Sequence, residues 1–476
     1  MHTENNFTGS YSGVKVTLAG LGLHGGGLEA AKFLARYGAE LTVTDLRGED
    51  VLKPSIENLD DYVKNLDSQA KPVRYVLGKH ETEDFKNADL VIKNPGMPPS
   101  SPYLQVAKKI ETDISLFLRY NPARLFAVTG SKGKSFTSSA LHYGLAAFHK
   151  KQLCGSAYLG GNITVSPLTF LEKLNNCDDV VLELSSWQLG DIKTGLLKPK
   201  AAVLTPIMKD HQDRYGSMDS YVADKRRIYA AQDKDCATIA LNDSWGKSFL
   251  AESKGRSYFY SATPLDTGIA GAYLENGAGF AQCINGFNDK IQIVPKDTLV
   301  PGVHQKINLL AASLAMLEAG LDPDFIKDCN AKFSGIEHRL EFFYEHNGIK
   351  FYNDTAATIP QAAACAVAAL GNPILVTGGT DKNLDFSPLI SACANAKKII
   401  LLDGSAAVKI MQGLKSAGID FCGPCGSLAA ALEEVYKTAK DGDIVVLSPG
   451  CTSFGMFLNE FDRGRKWKET VVNSNA

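Results

Sequence analysis

Short apolar runs alternate with longer segments in which apolar residues recur every three or four positions, along most of the 476-residue chain. The runs are rich in Val, Ile and Leu and predict buried strands, whereas the longer segments predict amphipathic helices. Strands that alternate with helices in this way form parallel sheets covered by helices. The chain is too long for one hydrophobic core, so we expect an α/β protein of three domains, at 1–111, 112–335 and 336–476.

The apolar run that ends at Val128 is followed by a glycine-rich turn and by a helical pattern from Lys134. Gly130 and Gly133 permit a turn that directs backbone N–H groups at one point, beside the positive end of a helix. Lys134 adds a charge that reaches terminal phosphates, and Ser135 supplies a hydroxyl for Mg²⁺. We name residues 130–136 the glycine loop and predict that it binds phosphate, although Val128 replaces the first Gly of the common G-x-x-x-x-G-K-[ST] motif. A glycine-rich turn in another doubly wound sheet is the alternative.

A second glycine motif lies nearer the N-terminus. Gly20, Gly22 and Gly25 form G-x-G-x-x-G after a predicted strand, and Asp45 ends the next strand, about 20 residues further on. This pattern predicts a tight turn, a helix N-terminus that faces an anion, and a carboxylate that accepts from a hydroxyl. A uridine diphosphate fits the pattern as well as NAD does, so an NAD-dependent dehydrogenase is an alternative. A rigid turn at 94–98 follows another strand at the same sheet edge.

Charged residues lie in or after two buried strands of the middle segment. Glu183 lies inside V-V-L-E-L-S-S, where a carboxylate is costly unless it pairs with an Arg or binds a cation. Asp210, His211 and Asp213 follow the strand A-A-V-L-T-P. Lys225 lies on the next predicted helix, 221–229, in the run Lys-Arg-Arg, which by itself indicates a solvated lysine.

The last segment repeats the alternation of strands and helices. Strands are predicted near 349–352, 373–377, 398–402 and 443–447, with helices at 360–370, 387–396, 405–416 and 427–439. Polar clusters follow these strands at 353–355, 378–382 and 448–453, where open α/β sheets bind ligands. Before this segment, glycines within 257–299 predict hairpins, and residues 304–318 predict a helix.

Composition narrows the possible functions. A formal net charge of −2 gives no electrostatic reason to expect nucleic acid or an acidic membrane surface as a partner. No apolar run approaches the roughly 20 residues of a membrane span, and the first residues lack the pattern of a signal peptide. Ten cysteines in mostly apolar segments, such as Cys365, indicate reduced, buried thiols and a cytoplasmic protein. The C-x-x-C of Cys422 and Cys425 predicts a strand end before a Gly-Pro turn rather than a metal or redox site.

Ten short motifs resemble those of the Mur ligases, in order and over residues 14–467. Each motif alone is weak, whereas ten in order with family spacing are specific. They are G-S-K-G-K-S (130–135), G-G-N-I (160–163), E-L-S-S-W-Q-L (183–189), D-H-Q-D-R-Y (210–215), Y-V-A-D-K (221–225), G-V-H-Q-K-I-N (302–308), H-R-L-E (338–341), N-D-T-A-A-T (353–358), G-G-T-D-K (378–382) and L-S-P-G-C-T-S-F (447–454). The resemblance implies a Rossmann-like N-terminal domain for a UDP-substrate, a central P-loop ATPase-like domain, and a Rossmann-like C-terminal domain that binds glutamate.

The resemblance also implies the chemistry. In this family ATP phosphorylates a carboxylate of a UDP-sugar substrate, and the amine of an amino acid then displaces phosphate from the acyl phosphate to form an amide. The short N-terminal domain with Asp45-Leu46-Arg47 favours the step that adds D-glutamate to UDP-MurNAc-L-Ala. L-glutamate or another amino acid, and a non-catalytic nucleotide-binding descendant, are the alternatives. We expect a cytoplasmic monomer whose partners are small molecules, with no nucleic acid and no membrane.

By the same resemblance, one group of residues serves ATP and the metal ions. The residues expected to bind ATP are Gly130, Ser131, Lys132, Gly133, Lys134, Ser135, Phe136, Asn308, Arg339 and Asp354. Ser135, Glu183 and His211 match ligands of two Mg²⁺ ions. Lys225 matches a lysine that the family carbamylates, and a carbamate adds oxygen ligands for a cation. Lys134, Glu183, His211 and Lys225 are thus the expected catalytic residues.

A second group serves the two organic substrates. The residues expected to bind the UDP-substrate are Leu23, His24, Asp45, Arg47, Asn94, Gly96, Asn162 and Gln188. Those expected to bind glutamate are Lys382, Ser453 and Phe454. Four positions depart from the family pattern, namely Phe136, Pro206, Gln305 and Ala356. Ala356 removes a cation near the reacting carboxylates, while the Mg²⁺ and phosphate ligands are kept.

Overall fold

The computed structural model describes residues 11–23, 25–66, 71–163, 165–284, 290–453 and 455–474. The chain divides into two compact units, the first formed by 1–293 and 307–329, the second by 294–306 and 330–476. Three sheets, in which parallel strand pairs predominate, confirm the predicted α/β class. Within the described ranges, no helix has both the length and the apolar character that a membrane crossing requires.

The first sheet has five parallel strands in the order β3-β2-β1-β4-β5. The predicted strand, glycine turn and helix at its centre are confirmed as β1 and α1. Its strands are β1 Lys15–Ala19, β2 Glu40–Asp45, β3 Arg74–Leu77, β4 Leu90–Lys93 and β5 Ile110–Glu111. Its helices are α1 Gly26–Arg36, α2 Glu49–Lys64, α3 Thr82–Asn87, α4 Pro102–Gln105 and α5 Asp113–Tyr120.

The second sheet has nine strands in the order β14-β13-β12-β11-β10-β9-β6-β8-β7. Its strands are β6 Arg124–Thr129, β7 Ala157–Gly161, β8 Asp179–Glu183, β9 Ala201–Leu204, β10 Ala237–Leu241, β11 Arg256–Ser261, β12 Gly271–Glu275, β13 Ala278–Gln282 and β14 Ile291–Val294. Its helices are α6 Lys134–Gln152, α7 Ser186–Asp191, α8 Gln212–Tyr215, α9 Met218–Arg226, α10 Ser244–Glu252, α11 Val303–Ala319 and α12 Pro323–Lys332. The hairpin prediction is right for β12 and β13 but wrong for β11, which pairs parallel to β12.

The third sheet has six strands in the order β15-β16-β20-β17-β18-β19. Its strands are β15 Glu341–His346, β16 Ile349–Asn353, β17 Ile374–Gly378, β18 Lys398–Leu402, β19 Cys422–Cys425 and β20 Ile444–Leu447. Its helices are α13 Pro360–Leu370, α14 Ser387–Cys393, α15 Ala407–Ser416, α16 Leu428–Tyr436 and α17 Glu460–Asn473. The prediction that Cys365 is buried was wrong, because this residue lies on the exposed side of α13.

One hydrophobic core joins the first two sheets. It includes Val16 of β1, Phe33 of α1 and Val180 of β8, and the rings of Phe117 and Phe170 meet edge to face at 5.9 Å. Burial of this apolar surface is the main term that holds the two sheets together. The side chains that line the carboxyl ends of both sheets therefore belong to one compact unit.

A buried ion pair crosses the same boundary. Lys93, at the end of β4, donates to the carboxylate of Asp191, at the end of α7, and both side chains are less than a tenth exposed. Burial lowers the pKa of Lys93 and raises that of Asp191, and the opposite charge of the partner counteracts each shift. Removal of one partner would leave the other charge buried without compensation.

We predict that Lys93→Met lowers the free energy of unfolding by about 3–5 kcal/mol, because Asp191 would lose its cation. Urea unfolding, followed by tryptophan fluorescence, measures the change. The double variant Lys93→Met/Asp191→Leu should recover most of the loss. Lys53→Met removes one partner of the exposed Lys53–Glu57 pair and serves as the control, with a change of no more than about 1 kcal/mol. An equal effect of the two single variants would contradict the prediction.

Candidate active site

The glycine loop connects β6 to α6, and its two glycines have no room for a side chain. Gly130 has a φ of +147°, and a Cβ there would lie 2.0 Å from Oγ1 of Thr205. Gly133 has a φ of +87°, and a Cβ there would lie 2.7 Å from Oδ1 of Asn308. The loop can therefore adopt this shape only with glycine at both positions. Asn308, predicted to bind the nucleotide, lies directly against the loop.

Lys134 folds over the loop that precedes it. Its Nζ donates to the carbonyl oxygens of Gly130 at 3.1 Å and Ser131 at 3.2 Å. Burial lowers the pKa of Lys134, and the carboxylates of Glu183 and Asp210 counteract that shift. The structure thus brings Lys134 and Glu183, two of the predicted catalytic residues, within electrostatic reach of each other. Ser135 is half-buried beside them, Phe136 is buried, and Lys132 is exposed.

Glu183 ends β8 and is 1% exposed. Its Oε1 accepts a hydrogen bond from Nδ2 of Asn162 at 3.0 Å. Its Oε2 is buried and has no hydrogen-bond partner among the described residues. Pairing with an Arg, the alternative considered for this buried carboxylate, is therefore wrong. This carboxylate oxygen beside the glycine loop is of the type that Mg²⁺ prefers as a ligand.

Lys225 is also 1% exposed, so the interpretation of this residue as a solvated helix lysine was wrong. Its Nζ donates to the carbonyl oxygen of Gly130 at 2.9 Å and lies 4.5 Å from the ring centre of Tyr221. Burial, with the nearby charge of Lys134, lowers the pKa of Lys225 to about 7. An amine with such a pKa is partly neutral near neutral pH and can act as a nucleophile.

His211 precedes α8 and has a left-handed backbone, with a φ of +49°. Its ring is exposed and lies 5.2 Å from that of Trp187 and 6.3 Å from that of Tyr221. The hydroxyl of Tyr221 is 2.9 Å from Oγ of Ser131, so the His211 loop reaches the glycine loop through Tyr221. Sequence reasoning missed Tyr221, although it lies one helical turn before Lys225 on the same face.

A cavity of about 200 Å³ lies between the carboxyl ends of the first two sheets. Asn94, Asn162 and Gln188, three of the residues expected to bind the UDP-substrate, line it. Lys93 and Asp113 also line it and were not predicted. Burial raises the pKa of Asp113 to about 6, and Ser166 donates to this carboxylate at 3.4 Å. Asp113 is the second residue of the predicted domain 112–335. No motif around it predicts a site.

The remaining N-terminal candidates lie on the loops of the first sheet. Asp45 is buried, and its carboxylate accepts from the backbone N–H groups of Gly22 at 3.2 Å and Arg47 at 3.0 Å. Gly96 donates its N–H to the side-chain oxygen of Asn94 at 2.8 Å. Leu23 is exposed, and His24 lies outside the described residues. Asp45 therefore fixes the glycine turn from within, in addition to its expected contact with a ligand hydroxyl.

The second unit contains the other candidates. Asp354 accepts from the N–H of Leu340 at 3.1 Å and the hydroxyl of Ser448 at 2.6 Å, and burial raises its pKa to about 7. Ser453 is buried and lines a cavity of about 240 Å³. Arg339 and Lys382 are exposed, and Phe454 lies outside the described residues.

Arg463 lines the same cavity and was not predicted. Its guanidinium is buried and donates to neutral oxygens of Thr355 and Cys451. Burial lowers the pKa of Arg463 to about 10. The buried position of this cation on α17 depends on tertiary contacts that no local pattern reveals.

The glycine loop lies at a helix N-terminus, with a lysine over it and a buried carboxylate beside it that has one oxygen unpartnered among the described residues. This arrangement is typical of a nucleotide-dependent enzyme that handles phosphate groups. The chain belongs to the Mur ligase family. It matches the models of the MurD-like N-terminal domain over residues 14–115, the Mur ligase middle domain over 128–316 and the glutamate ligase domain over 338–451. The N-terminal match replaces the interpretation of the first glycine motif as part of a dehydrogenase.

Two curated relatives with one name match this chain over nearly their whole length. The chain is 39% identical to the UDP-N-acetylmuramoylalanine–D-glutamate ligase of Treponema pallidum, with 96% of this chain and 97% of the relative covered. It is 37% identical to the ligase of that name from Roseiflexus sp., with 97% and 98% covered. Among solved structures, UDP-N-acetylmuramate-alanine ligase from Thermotoga maritima is similar in fold, with a TM-score of 0.54 and 18% identity over 97% of this chain and 99% of that one.

We predict that Gly130→Ala weakens nucleotide binding about tenfold or more, because the new Cβ would displace either the loop or Thr205, and about 1.4 kcal/mol corresponds to a factor of ten. Calorimetric titration with a non-hydrolysable ATP analogue measures the affinity. Gly426→Ala is the matched control, since a Cβ there meets no atom within 4 Å and its φ lies outside the left-handed range. Unchanged affinity in Gly130→Ala would show that the loop does not bind the nucleotide.

Proposed function

We propose that this chain is an ATP-dependent amide ligase that adds D-glutamate to UDP-MurNAc-L-Ala, with release of ADP and phosphate, in peptidoglycan precursor synthesis. The observation that carries the proposal is Oε2 of Glu183, which has no partner within the described ranges and lies beside the glycine loop that Lys134 covers. Relatives that bear the name of this ligase match nearly the whole chain. L-glutamate or another amino acid as acceptor is the alternative within the same chemistry.

The phosphate groups of ATP interact with the glycine loop. The N–H groups of residues 130–136 and the first turn of α6 present positive dipoles to the β- and γ-phosphates. Lys134 and Lys225 both bind the carbonyl of Gly130, so two amines converge on the place where phosphate charge arrives. Lys134 can exchange its carbonyl partners for phosphate oxygens. Asn308 packs against Gly133 and serves the adenine side.

Ser135, Glu183 and His211 are the proposed ligands of two Mg²⁺ ions, with Lys225 as a carbamate. Mg²⁺ supplies the charge that lets an anionic carboxylate approach an anionic phosphate. Ser135 lies in the first turn of α6, Glu183 ends β8 opposite Val128 of β6, and His211 precedes α8. A carbamate on Lys225 would replace a cation close to Lys134 with an anion, which removes the repulsion between two buried amines.

The UDP-substrate occupies the first sheet and the 200 Å³ cavity in this proposal. The N-terminus of α1 and the backbone of the first glycine motif face its diphosphate. Asn94, Asn162 and Gln188 contribute amide groups that orient the sugar and the alanyl end toward the glycine loop. Leu23, Asp45, Arg47 and Gly96 belong to the loops that border the nucleoside, and His24 was assigned with them. Asn162 also holds Glu183, so it couples the substrate to the metal ligands.

The second unit binds the amino acid and part of the nucleotide. Lys382, Ser453 and Phe454 are the proposed partners of glutamate, while Arg339 and Asp354 serve ATP. Position 356 is alanine, so the cations expected for the carboxylates of glutamate are fewer than the family pattern supplies. Three domains with boundaries at 111 and 335, a monomeric state, a cytoplasmic location and no nucleic-acid partner complete the proposal.

We predict that ADP release requires UDP-MurNAc-L-Ala and an amino acid together, and that D-glutamate supports it much better than L-glutamate. A coupled assay of ADP, with the two enantiomers side by side, measures this. Omission of the UDP-substrate is the control. The ligase proposal is overturned if no amino acid stimulates ADP release, and the assignment of D-glutamate is overturned if L-glutamate is preferred.

We predict that Lys225→Ala is inactive and that formate or acetate restores part of its activity, since a small carboxylate can take the place of the carbamate. Initial rates with and without these acids measure the rescue. Lys234→Ala, which alters an exposed lysine, should be fully active and insensitive to them. If Lys225→Ala is inactive and does not respond to the acids, the proposal of a carbamate is wrong, although the ligase assignment stands.

A further inference from the structure

Two cysteines lie near each other at the amino ends of the strands of the second sheet, at the end opposite the glycine loop. Cys154 follows the C-terminal end of α6, and Cys177 lies two residues before β8. Both are exposed. The proposed ligase reaction uses neither of them.

The backbone brings the two cysteines together. Strands β7 and β8 are parallel, with Ala157 opposite Asp179, so the segments that lead into them run side by side. A Cβ on Gly155 would lie 2.2 Å from the carbonyl oxygen of Cys177. Glycine after Cys154 therefore permits a close backbone contact at the position of the two thiols.

Buried side chains hold both segments in place. The carboxylate of Asp178 accepts from the N–H of Ser156 at 2.7 Å and from that of Asn175 at 2.8 Å, which ties the two turns to each other. His149 contacts the carbonyl oxygen of Cys154 at 2.6 Å and the carboxylate of Asp179 at 2.9 Å. The backbones of the two segments therefore cannot separate without loss of these hydrogen bonds.

The two sulfurs also interact. The charge of Cys154 raises the pKa of the Cys177 thiol, whose Sγ donates to the side-chain oxygen of Asn176 at 3.6 Å. The two cysteines of the C-x-x-C differ from this pair in exposure, because Cys425 is buried and Cys422 is only partly exposed, with a hydrogen bond to Glu434. The backbones next to Cys154 and Cys177 approach closely and both residues are exposed, so a disulfide can form there with little backbone movement.

We propose that Cys154 and Cys177 form a reversible disulfide by exchange with an oxidised low-molecular-mass disulfide such as oxidised glutathione. The thiolate of one cysteine attacks the disulfide, one glutathione thiolate leaves, and a mixed disulfide results. The thiolate of the second cysteine then attacks the protein sulfur of the mixed disulfide, and the second glutathione leaves. Two protein thiols are oxidised, and one glutathione disulfide is reduced to two thiols.

The bond would connect α6 to β8 at the ends remote from Lys134 and Glu183. A covalent link between these elements restricts the unfolded chain, so the oxidised protein should be more stable. The link lies outside the catalytic machinery, so ligase activity should not change. The two cysteines would thus form a redox-sensitive covalent link at the amino ends of strands in the second sheet.

Peptide mapping of the full-length protein tests the proposal independently of ligase activity. Reduced protein is incubated with oxidised glutathione, alkylated and digested with trypsin without reduction. Cleavage after Lys173 separates the two cysteines into peptides 152–173 and 174–193, each with one cysteine. The expected product is the linked pair of these peptides, which reduction separates, together with a higher melting temperature. Cys422 and Cys425 share peptide 416–437 and should stay unlinked.

Single variants distinguish a true pair from two reactive surface thiols. In Cys177→Ser, Cys154 should keep glutathione as a stable mixed disulfide, because no second thiol displaces it. Cys365→Ser, at another exposed cysteine, should leave the linked peptides unchanged. Glutathione retained on both Cys154 and Cys177 of the unaltered chain, without linked peptides, would overturn the proposal. So would an equal melting temperature for the oxidised and reduced protein.

Discussion

The carbonyl oxygen of Gly130 accepts hydrogen bonds from the amines of both Lys134 and Lys225. This contact depends on the absence of a side chain at position 130, because Thr205 occupies the space that a Cβ would need. A neutral oxygen offsets little of the buried charge of Lys225, so burial and the charge of Lys134 lower the pKa of Lys225. The hydrogen bonds to Gly130 thus connect the shape of the loop to the position of Lys225 on α9 and to the charge of the site.

The surroundings of that oxygen are arranged for incoming anions. Glu183 and Asp210 counteract the effect of burial on the pKa of Lys134, yet one oxygen of Glu183 accepts no hydrogen bond from the part of the chain that the structure describes. The lysines and Glu183 are thus close together but incompletely paired. Such incomplete pairing in a folded interior is typical of a site where a bound ligand supplies the missing partners. A site of this type can bring two negatively charged substrates together by position and charge, with little need for proton transfer by the protein.

Local patterns predicted the parts of the site that depend on local structure. Gly130, Gly133 and Lys134 could be read directly, because a strand, a turn and a helix follow one another within a dozen residues. The burial of Lys225 could not, since it depends on a carbonyl group 95 residues away in the chain. Lys-Arg-Arg on a helix is typical of a solvated face. Only the resemblance to the Mur ligases indicated that Lys225 belongs to the site.

The same distinction applies to the fold. Apolar runs predicted the central strands, whereas β11 was misjudged because glycines in the connection to β12 resemble those of a hairpin, although the two strands are parallel. Lys93 and Asp113 line a cavity that exists only because the first two sheets pack together. Residues whose environment is built from distant segments carry no periodic signal, and this is why sequence reasoning missed them.

The unpartnered oxygen of Glu183 has a thermodynamic consequence for the whole molecule. A buried polar atom without a partner makes the folded state less stable by about 1–3 kcal/mol. An ion that satisfies this atom binds the folded chain and not the unfolded one, so folding and ion binding are linked by mass action. If Glu183 binds Mg²⁺ as we propose, the free energy of unfolding rises with the free magnesium concentration, even when no substrate is present.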